Sequence, residues 1–442
     1  MSIRIITGDC LTVLPQLAAE GVRAHAVVCD PPYHLTSIVK RFGAAGAAPA
    51  TVGATGAYAR ASAGFMGQQW DGGDVAFRPE TWAAVMACMR PGAHLVAFGG
   101  TRTWHRMAVA IEDAGFEIRD SLAWLYGCGF PKSHDVSKGI DATILHGGSN
   151  SRSMKRTNED RPGAGRVTAS LPNNGVMSED RRTHVVRDEP ATPEAAAWAG
   201  WGTALKPAYE PIIVARKPLV GTVAANVLEF GTGALNIDAC RIDSGGTHGS
   251  ARSAGTGAGR QTANVNGSAY GNGLGGVVAP PHPSGRWPAN VIHDGSAEVE
   301  AAFAVYGESK PKLGRSGIKG GENACFMSRG DGSNADRIGT WPADTGGTAS
   351  RFFYSAKADA TDRAGSKHPT VKPTDLMRWL VQLTCPPGGL VLDPFAGTGS
   401  TGLAADQLGI DAILVERDPT YAADALRKIS ADGGLFSTAA AE

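Results

Sequence analysis

Short apolar runs alternate with segments of helical spacing over residues 1–126. One such segment spans 79–89 and places Trp82, Val85 and Met86 on one face. Continuous apolar runs are typical of strands buried on both faces, and their alternation with helices is typical of a parallel sheet. The pattern predicts helices over 79–89 and 104–114 and strands over 4–7, 24–29, 94–100 and 116–126.

Regular patterns return later in the chain. Two long interruptions separate these later elements from residues 1–126 and from one another. The later elements are a strand at 212–215, a helix at 375–384 and strands at 390–392 and 412–415. The interruptions are rich in Gly, Ser and Pro and have no clear helical period. We predict an α/β domain in three parts, which are 1–141, 196–218 and 351–442, with a flexible, basic-rich insertion at 142–195 and a loop-rich region at 219–350.

Composition narrows the class of protein. Hydrophobic residues make up 42% of the chain, which supports a packed core. No apolar run approaches the length of a membrane span, and the N-terminus lacks a signal-sequence pattern. The seven cysteines are scattered without a CxxC pair, so we expect neither a disulfide framework nor a zinc ribbon, and a reducing cytoplasm fits. Basic and acidic residues both number 42, and this zero net charge is a mild argument against nucleic-acid binding.

A rigid, acidic turn follows the predicted strand 24–29. It consists of Asp30, Pro31, Pro32 and Tyr33. Two prolines cannot continue a central strand, so the chain leaves the sheet at this point. The turn therefore places a carboxylate and an aromatic ring at a carboxyl strand end, where open α/β sheets bind ligands. From the local sequence alone, a turn that merely ends the strand is also open.

A glycine-rich loop follows the predicted strand 390–392. Gly397, Gly399 and Gly402 allow the backbone to turn tightly and to approach a ligand beside a helix N-terminus. The next strand ends at Glu416, which is placed to accept hydrogen bonds from both hydroxyls of a ribose. The same glycines match GxGxxG, so the loop alone leaves a nicotinamide dinucleotide open as a rival cofactor.

The two motifs, in this order, resemble the β-class DNA amino-methyltransferases. In that circularly permuted family, the acidic-Pro-Pro-aromatic tetrapeptide precedes the cofactor loop. The resemblance includes Lys-His-Pro-Thr-Val-Lys-Pro at 367–373 and Glu-Arg-Asp at 416–418, and covers about 3–145, 200–218 and 352–430. The segments 70–73, 129–134 and 285–290 also resemble phage- or prophage-type site-specific methyltransferases.

The resemblance implies a Rossmann-like sheet of seven mostly parallel strands, with helices on both faces and one antiparallel strand. The last two strands of the chain would fold back beside the first. The family's target-recognition region lies between the motifs, which places it here at 219–350. The strands would lie near Ile5, Val27, Val96, Leu122, Ile213, Leu392 and Leu414.

The resemblance also assigns site residues and a cofactor, S-adenosyl-L-methionine. Catalysis would fall on Asp30, Pro31, Pro32 and Tyr33: Asp30 and the carbonyl of Pro31 would accept the hydrogens of an exocyclic amine, and Tyr33 would stack on a flipped base. No metal is implied. Locally, Asp9 also fits a helix cap. Cofactor contacts would fall on Asp9, Cys10, Thr370, Lys372, Asp393, Pro394, Phe395, Gly397, Gly399, Glu416 and Arg417.

The expected substrate is double-stranded DNA. Asp30 in the first position of the tetrapeptide favours N6 of adenine over N4 of cytosine. Two other classes of enzyme are alternatives. An RNA or protein amine methyltransferase could use the tetrapeptide in the same way, whereas a dinucleotide-dependent oxidoreductase would leave the tetrapeptide unexplained. The resemblance is compatible with a homodimer and indicates no obligatory protein partner.

Overall fold

The computed structural model describes residues 2–33, 74–127, 129, 133–146, 189–242, 285–307, 348–356, 362, 371–432 and 438–441. The chain forms two compact units, one of Met1–Gly127 with Tyr209–Glu442 and one of Cys128–Ala208. No helix within the described ranges is long and apolar enough to cross a membrane.

The larger unit is built on one ten-stranded sheet. Its strands are β1 (Ser2–Thr7), β2 (Ala24–Cys29), β3 (Met89–Phe98), β4 (Glu117–Leu125), β5 (Tyr209–Arg216), β6 (Val291–His293), β7 (Tyr354–Ser355), β8 (Leu390–Asp393), β9 (Asp411–Glu416) and β10 (Thr438–Ala441). Their order across the sheet is β10-β1-β9-β8-β2-β3-β5-β4-β6-β7. Among these described strands, only β5 is antiparallel to its neighbours, β3 and β4.

All seven predicted strand regions are strands of this sheet. As expected, the late strands β8 and β9 return to the early ones, with β9 paired to β1 and β8 paired to β2. Three further strands, β6, β7 and β10, extend the sheet at its edges. The sequence pattern did not mark them as strands, because β6 and β7 have three and two residues, which is too short for a period to show.

The strand β3 begins earlier than predicted. It starts at Met89 and includes Pro91 and Gly92, which the sequence pattern treats as the turn between a helix and a strand at 94. A β-bulge accommodates Pro91 and Gly92, because the pairing with β2 shifts from Ala24–Met89 to Ala26–His94. Gly92 has a φ of +75°, a left-handed conformation that costs glycine little.

Helices cover both faces of the sheet. Those of the larger unit are α1 (Cys10–Ala19), α2 (Pro79–Ala87), α3 (Trp104–Asp113), α6 (Val223–Phe230), α7 (Ala297–Ala304), α8 (Thr374–Thr384), α9 (Ser400–Leu408) and α10 (Pro419–Asp432), while α4 (Val136–His146) and α5 (Pro193–Ala196) belong to the smaller unit. Residues of β2 alternate between two cores: Val27 packs with α1, α2 and α3, whereas Val28 packs with α8, α9 and α10. This alternation is why the strand is apolar throughout.

The smaller unit is held by hydrogen bonds around Asp141 in α4. Its carboxylate accepts from the backbone N–H of Ala191 at 2.8 Å and from the hydroxyl of Thr192 at 2.9 Å. The Thr192 hydroxyl in turn accepts from the N–H of Ala195 and caps α5. Since this unit extends to Ala208, residues 196–208 lie outside the larger unit, whereas the sequence pattern groups them with β5 in the α/β domain.

The start of the predicted recognition region is fastened to the larger unit. Asn226 in α6 is fully buried; its side-chain amide donates to the carbonyls of Pro91 at 3.0 Å and Thr232 at 2.8 Å, and its side-chain oxygen accepts from the N–H of Val220 at 2.9 Å. Residues 219–242 are therefore anchored on the β3 bulge.

We expect Asn226→Ala to lower the free energy of unfolding by about 2 kcal/mol, because it leaves buried backbone groups without partners. Equilibrium urea unfolding measures this change. Leu228→Ala, on the same helix but 89% exposed, is the matched control and should have little effect. Equal stability of the two variants would contradict the anchoring role.

Candidate active site

The two motifs meet on adjacent strands. Asp30 follows the end of β2, Asp393 ends β8 and Glu416 ends β9. Because β2 pairs with β8 and β8 pairs with β9, all in parallel, the three carboxyl groups lie at the same edge of the sheet. This edge is where a parallel sheet binds ligands.

Asp30 lies in a compact cluster with Tyr33, Lys372 and Glu210. The ammonium of Lys372 donates to Asp30 Oδ2 at 2.8 Å and to Tyr33 Oη at 3.2 Å, and its distance to Glu210 Oε2 is 3.1 Å. The Tyr33 hydroxyl lies 2.7 Å from Asp30 Oδ1 and 3.1 Å from Glu210 Oε2. Two carboxylates thus share one buried cation and one phenol.

The antiparallel strand explains the position of Glu210. Because β5 runs against its neighbours, its first residues lie where the parallel strands end. The N–H of Gly99, just after β3, donates to the carbonyl of Pro211 at 2.9 Å, which places Glu210 at the carboxyl edge. Sequence analysis missed this residue; the available signal was a charged side chain at the start of an otherwise apolar strand.

The side chain of Lys372 does not lie beside the cofactor loop, where the resemblance places it. Its side chain is 7% exposed and points to Asp30, with the ammonium 4.9 Å from the ring centre of Phe98. Only its backbone carbonyl faces the loop, where it accepts from the hydroxyl of Ser400 at the start of α9 at 3.1 Å. Lys372 therefore connects the two motifs.

Burial and charge act in opposite directions on the pKa of Lys372 but in the same direction on that of Tyr33. Burial disfavours the ammonium of Lys372, but the carboxylates of Asp30 and Glu210 outweigh burial, so its pKa lies above that of an ordinary lysine. For Tyr33, burial and the same two carboxylates both raise the pKa well above the ordinary value. The cluster therefore holds a charged lysine and a neutral tyrosine at physiological pH.

The glycine loop runs from Asp393 to the start of α9. Gly397 and Gly399 have φ values of +52° and +76°. A Cβ on Gly399 would lie 2.7 Å from that of Ala425, and one on Gly402 would overlap the Leu414 side chain. The glycines therefore allow both the turn of the loop and the close packing of α9 on β9 and α10.

Glu416 holds this loop in place. Its carboxylate accepts from the N–H of Gly397 at 2.7 Å through one oxygen and from the N–H of Asp418 at 2.8 Å through the other. A carboxylate can accept about four hydrogen bonds, so capacity remains for two hydroxyls of a ribose. The half-buried ring of Phe395, which packs edge-on against Trp82 at 6.3 Å, adds an apolar surface beside the loop. These residues fit an adenosine-bearing cofactor.

Asp393 is an interior residue that orders the loop. It is 2% exposed, and its carboxyl group accepts from the N–H of Phe395 at 2.9 Å and from the hydroxyl of Thr401 at 2.5 Å. Burial raises the pKa of Asp393 to about 7 in spite of these two hydrogen bonds, which act in the opposite direction. The side chain therefore stabilises the loop from within the core.

This raised pKa predicts a pH dependence of stability. The folded state holds a proton that the unfolded state has already lost, so the stabilisation is complete below the ordinary aspartate pKa and is lost as the pH rises through about 7. Asp393→Asn keeps a similar shape and cannot titrate. We expect the wild-type melting temperature to fall relative to that of Asp393→Asn between about pH 4 and pH 7. Parallel melting curves for the two proteins would contradict this assignment.

The residues before α1 flank the same edge. Asp9 is exposed and caps α1, accepting from the N–H of Leu11 at 2.9 Å. The N–H of Gly8 donates to the carbonyl of Glu416 at 2.9 Å, so Asp9 also lies next to the end of β9, and the cap leaves its second oxygen for a ligand. The thiol of Cys10 is buried; burial first and Asp9 second raise its pKa to about 12, so it is a neutral core group.

The remaining expected residues are less informative. Pro394 is buried within the loop, and Arg417 is exposed. Thr370 lies outside the described residues, as do the segments 70–73 and 130–132. Trp287, in the segment 285–290, lies before β6 and therefore away from the carboxyl edge; its ring stacks with the Arg241 guanidinium at 5.3 Å. Among the described residues, no group of three His, Cys, Asp or Glu side chains could hold a metal ion.

Comparison with known sequences finds a family model that matches most of the chain. A family model described as DNA methylase, of the N6/N4 class, matches residues 24–427. The type II methyltransferase M2.DpnII of Streptococcus pneumoniae is 32% identical over 71 residues, which are 16% of this chain and 26% of that protein. M.HinfI of Haemophilus influenzae, also a type II methyltransferase, is 40% identical over 68 residues, or 15% of this chain and 19% of that protein. The aligned segment thus spans about a quarter or less of either relative.

Two solved structures align with most of the chain at low similarity. The DNA modification methylase TTHA0409 of Thermus thermophilus, complexed with S-adenosyl-L-methionine, is 14% identical with a TM-score of 0.38, over 99% of this chain and 97% of that chain. The PvuII DNA methyltransferase, described as cytosine-N4-specific, is 11% identical with a TM-score of 0.38, over 97% and 86%.

The family match includes both strand-end motifs, the Asp30 cluster and the glycine loop. It confirms the family expected from the tetrapeptide and the loop. The chain belongs to the N6/N4 family of DNA methylases, whose enzymes use S-adenosylmethionine as methyl donor.

Proposed function

We propose that this protein transfers a methyl group from S-adenosylmethionine to an exocyclic amine of a base in double-stranded DNA. The observation that carries the proposal is the adjacency of two sites on paired strands, the Asp30 cluster after β2 and the glycine loop after β8. The type II methyltransferases that share short segments with the chain support DNA as the substrate.

The reaction requires little general acid–base catalysis, but the amine and the methyl donor have to be positioned closely. When bound, S-adenosylmethionine supplies a methyl group on a positively charged sulfur. The target amine is conjugated with its ring and is a weak nucleophile. Asp30 and the carbonyl of Pro31 accept its two hydrogens, which favours a pyramidal nitrogen with an available lone pair. Placement and electrostatics then supply most of the rate acceleration.

The target base has to leave the duplex to reach Asp30. Flipping costs a few kcal/mol, which contacts in the pocket offset. The ring of Tyr33, held by hydrogen bonds of its hydroxyl to Asp30 and Glu210, is the stacking surface for the flipped base. Pro31 and Pro32 keep the turn rigid, so Asp30 and Tyr33 are positioned before the base arrives.

We propose adenine N6 as the acceptor. The support is the aspartate at the first position of the tetrapeptide, a residue that in β-class enzymes favours adenine over cytosine. Cytosine N4 presents the same kind of amine, and the family contains both activities.

Transfer of labelled methyl from S-adenosylmethionine to unmethylated genomic DNA, followed by nucleoside analysis, tests both levels of the proposal. We expect the label in N6-methyladenine. Label in N4-methylcytosine would show that the proposed base is wrong but would support the proposed reaction. If the protein binds the cofactor but labels RNA or protein and leaves DNA unlabelled, the proposed substrate is wrong.

A further inference from the structure

The hydrogen-bonding capacity of Lys372 is fully used in the Asp30 cluster. An ammonium has three donors, and three oxygens surround this one: Asp30 Oδ2 at 2.8 Å, Glu210 Oε2 at 3.1 Å and Tyr33 Oη at 3.2 Å. The side chain of Lys372 is 7% exposed, so water contributes little to its solvation. The lysine therefore does not pair with Asp30 alone, because Glu210 also forms an ion pair with it.

The charges of the cluster do not cancel. Two carboxylates and one ammonium, with Tyr33 neutral, leave a net charge of about one negative unit, since the tyrosine pKa is raised by burial and by both carboxylates. With Asp30 and Lys372 alone the same site would be neutral. Glu210 is therefore the residue that makes the cluster an acceptor of positive charge.

The reaction requires such an acceptor. The lone pair of the amine nitrogen forms the new N–C bond, while the S–CH₃ bond breaks with its electron pair remaining on sulfur. The nitrogen then carries the positive charge and one proton too many. That proton has to leave for a nearby base, and the Asp30 carboxylate is the group that already accepts a hydrogen of the amine. Proton transfer brings the cluster from a net negative charge to neutrality.

We propose that Glu210 is a positioning residue for methyl transfer: it shares the ammonium of Lys372, so that the Asp30 carboxylate is not held by Lys372 alone and remains available to orient the target amine and take up its proton. This inference rests on the proposed function. It also gives the antiparallel strand β5 a chemical role, because only a strand of that direction begins at the edge where the parallel strands end.

The test uses two substitutions with opposite expected effects on the pH dependence of the rate. Among the residues that the structure describes, the charged and titratable groups that face Asp30 are Lys372, Tyr33 and Glu210 in the cluster and Asp393 and Cys29 behind it. In Glu210→Gln, the whole charge of Lys372 acts on Asp30. The ammonium then holds this carboxylate more tightly, so Asp30 takes up the proton of the amine less readily. In Lys372→Met, the two carboxylates lose their shared cation and repel each other.

The measurement is the rate of labelled methyl transfer at saturating cofactor and DNA from pH 5 to 9. For Glu210→Gln we expect a plateau rate lower by about 10- to 100-fold and an acid limb displaced to lower pH by about one unit. For Lys372→Met the acid limb should move to higher pH. Glu210→Asp, which retains the carboxylate, should recover most of the plateau rate. Cofactor affinity, measured by calorimetry, should match that of the wild type in Glu210→Gln.

The results of these measurements either support or overturn the proposed role of Glu210. Glu210→Gln with the wild-type plateau and acid limb would overturn it while the proposed function stands. A Glu210→Gln protein that has lost cofactor affinity or its cooperative melting transition would make Glu210 a structural residue and also overturn the inference. If the wild-type protein itself transfers no methyl group to DNA, the proposed function fails, and that result is separate from any effect of the substitutions.

Discussion

Asp30→Asn is expected to lower the rate of methyl transfer by about 10²–10⁴ while cofactor affinity stays within about twofold of the wild type. Asparagine has nearly the same shape, but its amide is a poor acceptor and cannot take up the proton of the methylated amine. The substitution also removes one of the two negative charges beside Lys372, the one at 2.8 Å. The rate is measured with labelled S-adenosylmethionine and unmethylated DNA, and the affinity by calorimetry.

A matched control is available on the same unit. Asp113 ends α3, is exposed and belongs to neither motif, so Asp113→Asn should transfer methyl groups at the wild-type rate. If Asp30→Asn kept most of its activity, Asp30 would serve only to end β2, and the reacting amine would have to bind elsewhere.

Glu416→Ala is expected to weaken the binding of S-adenosylmethionine by about 100-fold, which corresponds to the loss of about one or two hydrogen bonds to a charged group. The carboxylate holds the N–H groups of Gly397 and Asp418, so its removal also releases the loop on which the cofactor would lie. Calorimetric titration of the cofactor measures the change.

Glu416→Gln separates these two contributions. Glutamine still accepts a hydrogen bond from Gly397 and keeps the loop in place, but it offers the ribose a neutral acceptor. We expect its affinity to fall between those of the wild type and Glu416→Ala. Wild-type affinity in both variants would place the cofactor away from the end of β9.

Sequence alone predicted the central strands and both motifs, because each left a local signal. The strand β2 is apolar on both faces, since Val27 and Val28 enter different cores, and the double proline after it has to end the strand. The glycine loop was visible because Gly399 needs a left-handed φ and Gly402 has no room for a side chain. In each case the physical requirement falls on the residue itself.

The features that sequence analysis missed depend on residues distant in the chain. Glu210 becomes part of the site only because β5 is antiparallel, and no local pattern reveals the direction of a strand. The side chain of Lys372 points to Asp30 and not to the cofactor loop, and this orientation depends on two carboxylates from other segments. The bulge in β3 is likewise visible only against the register of β2.

The pairing of early with late strands has a consequence for synthesis on the ribosome. One side of β2 is open until β8 is made, and β1 has no sheet neighbour until β9 and β10 follow. At typical elongation rates of about 5–20 residues per second, Asp30 waits roughly 20–70 s for the strand that carries the cofactor loop. During this time the nascent chain exposes unpaired strand edges, which are prone to aggregation. Translation that stops before β8 therefore yields a chain with the tetrapeptide but no assembled site.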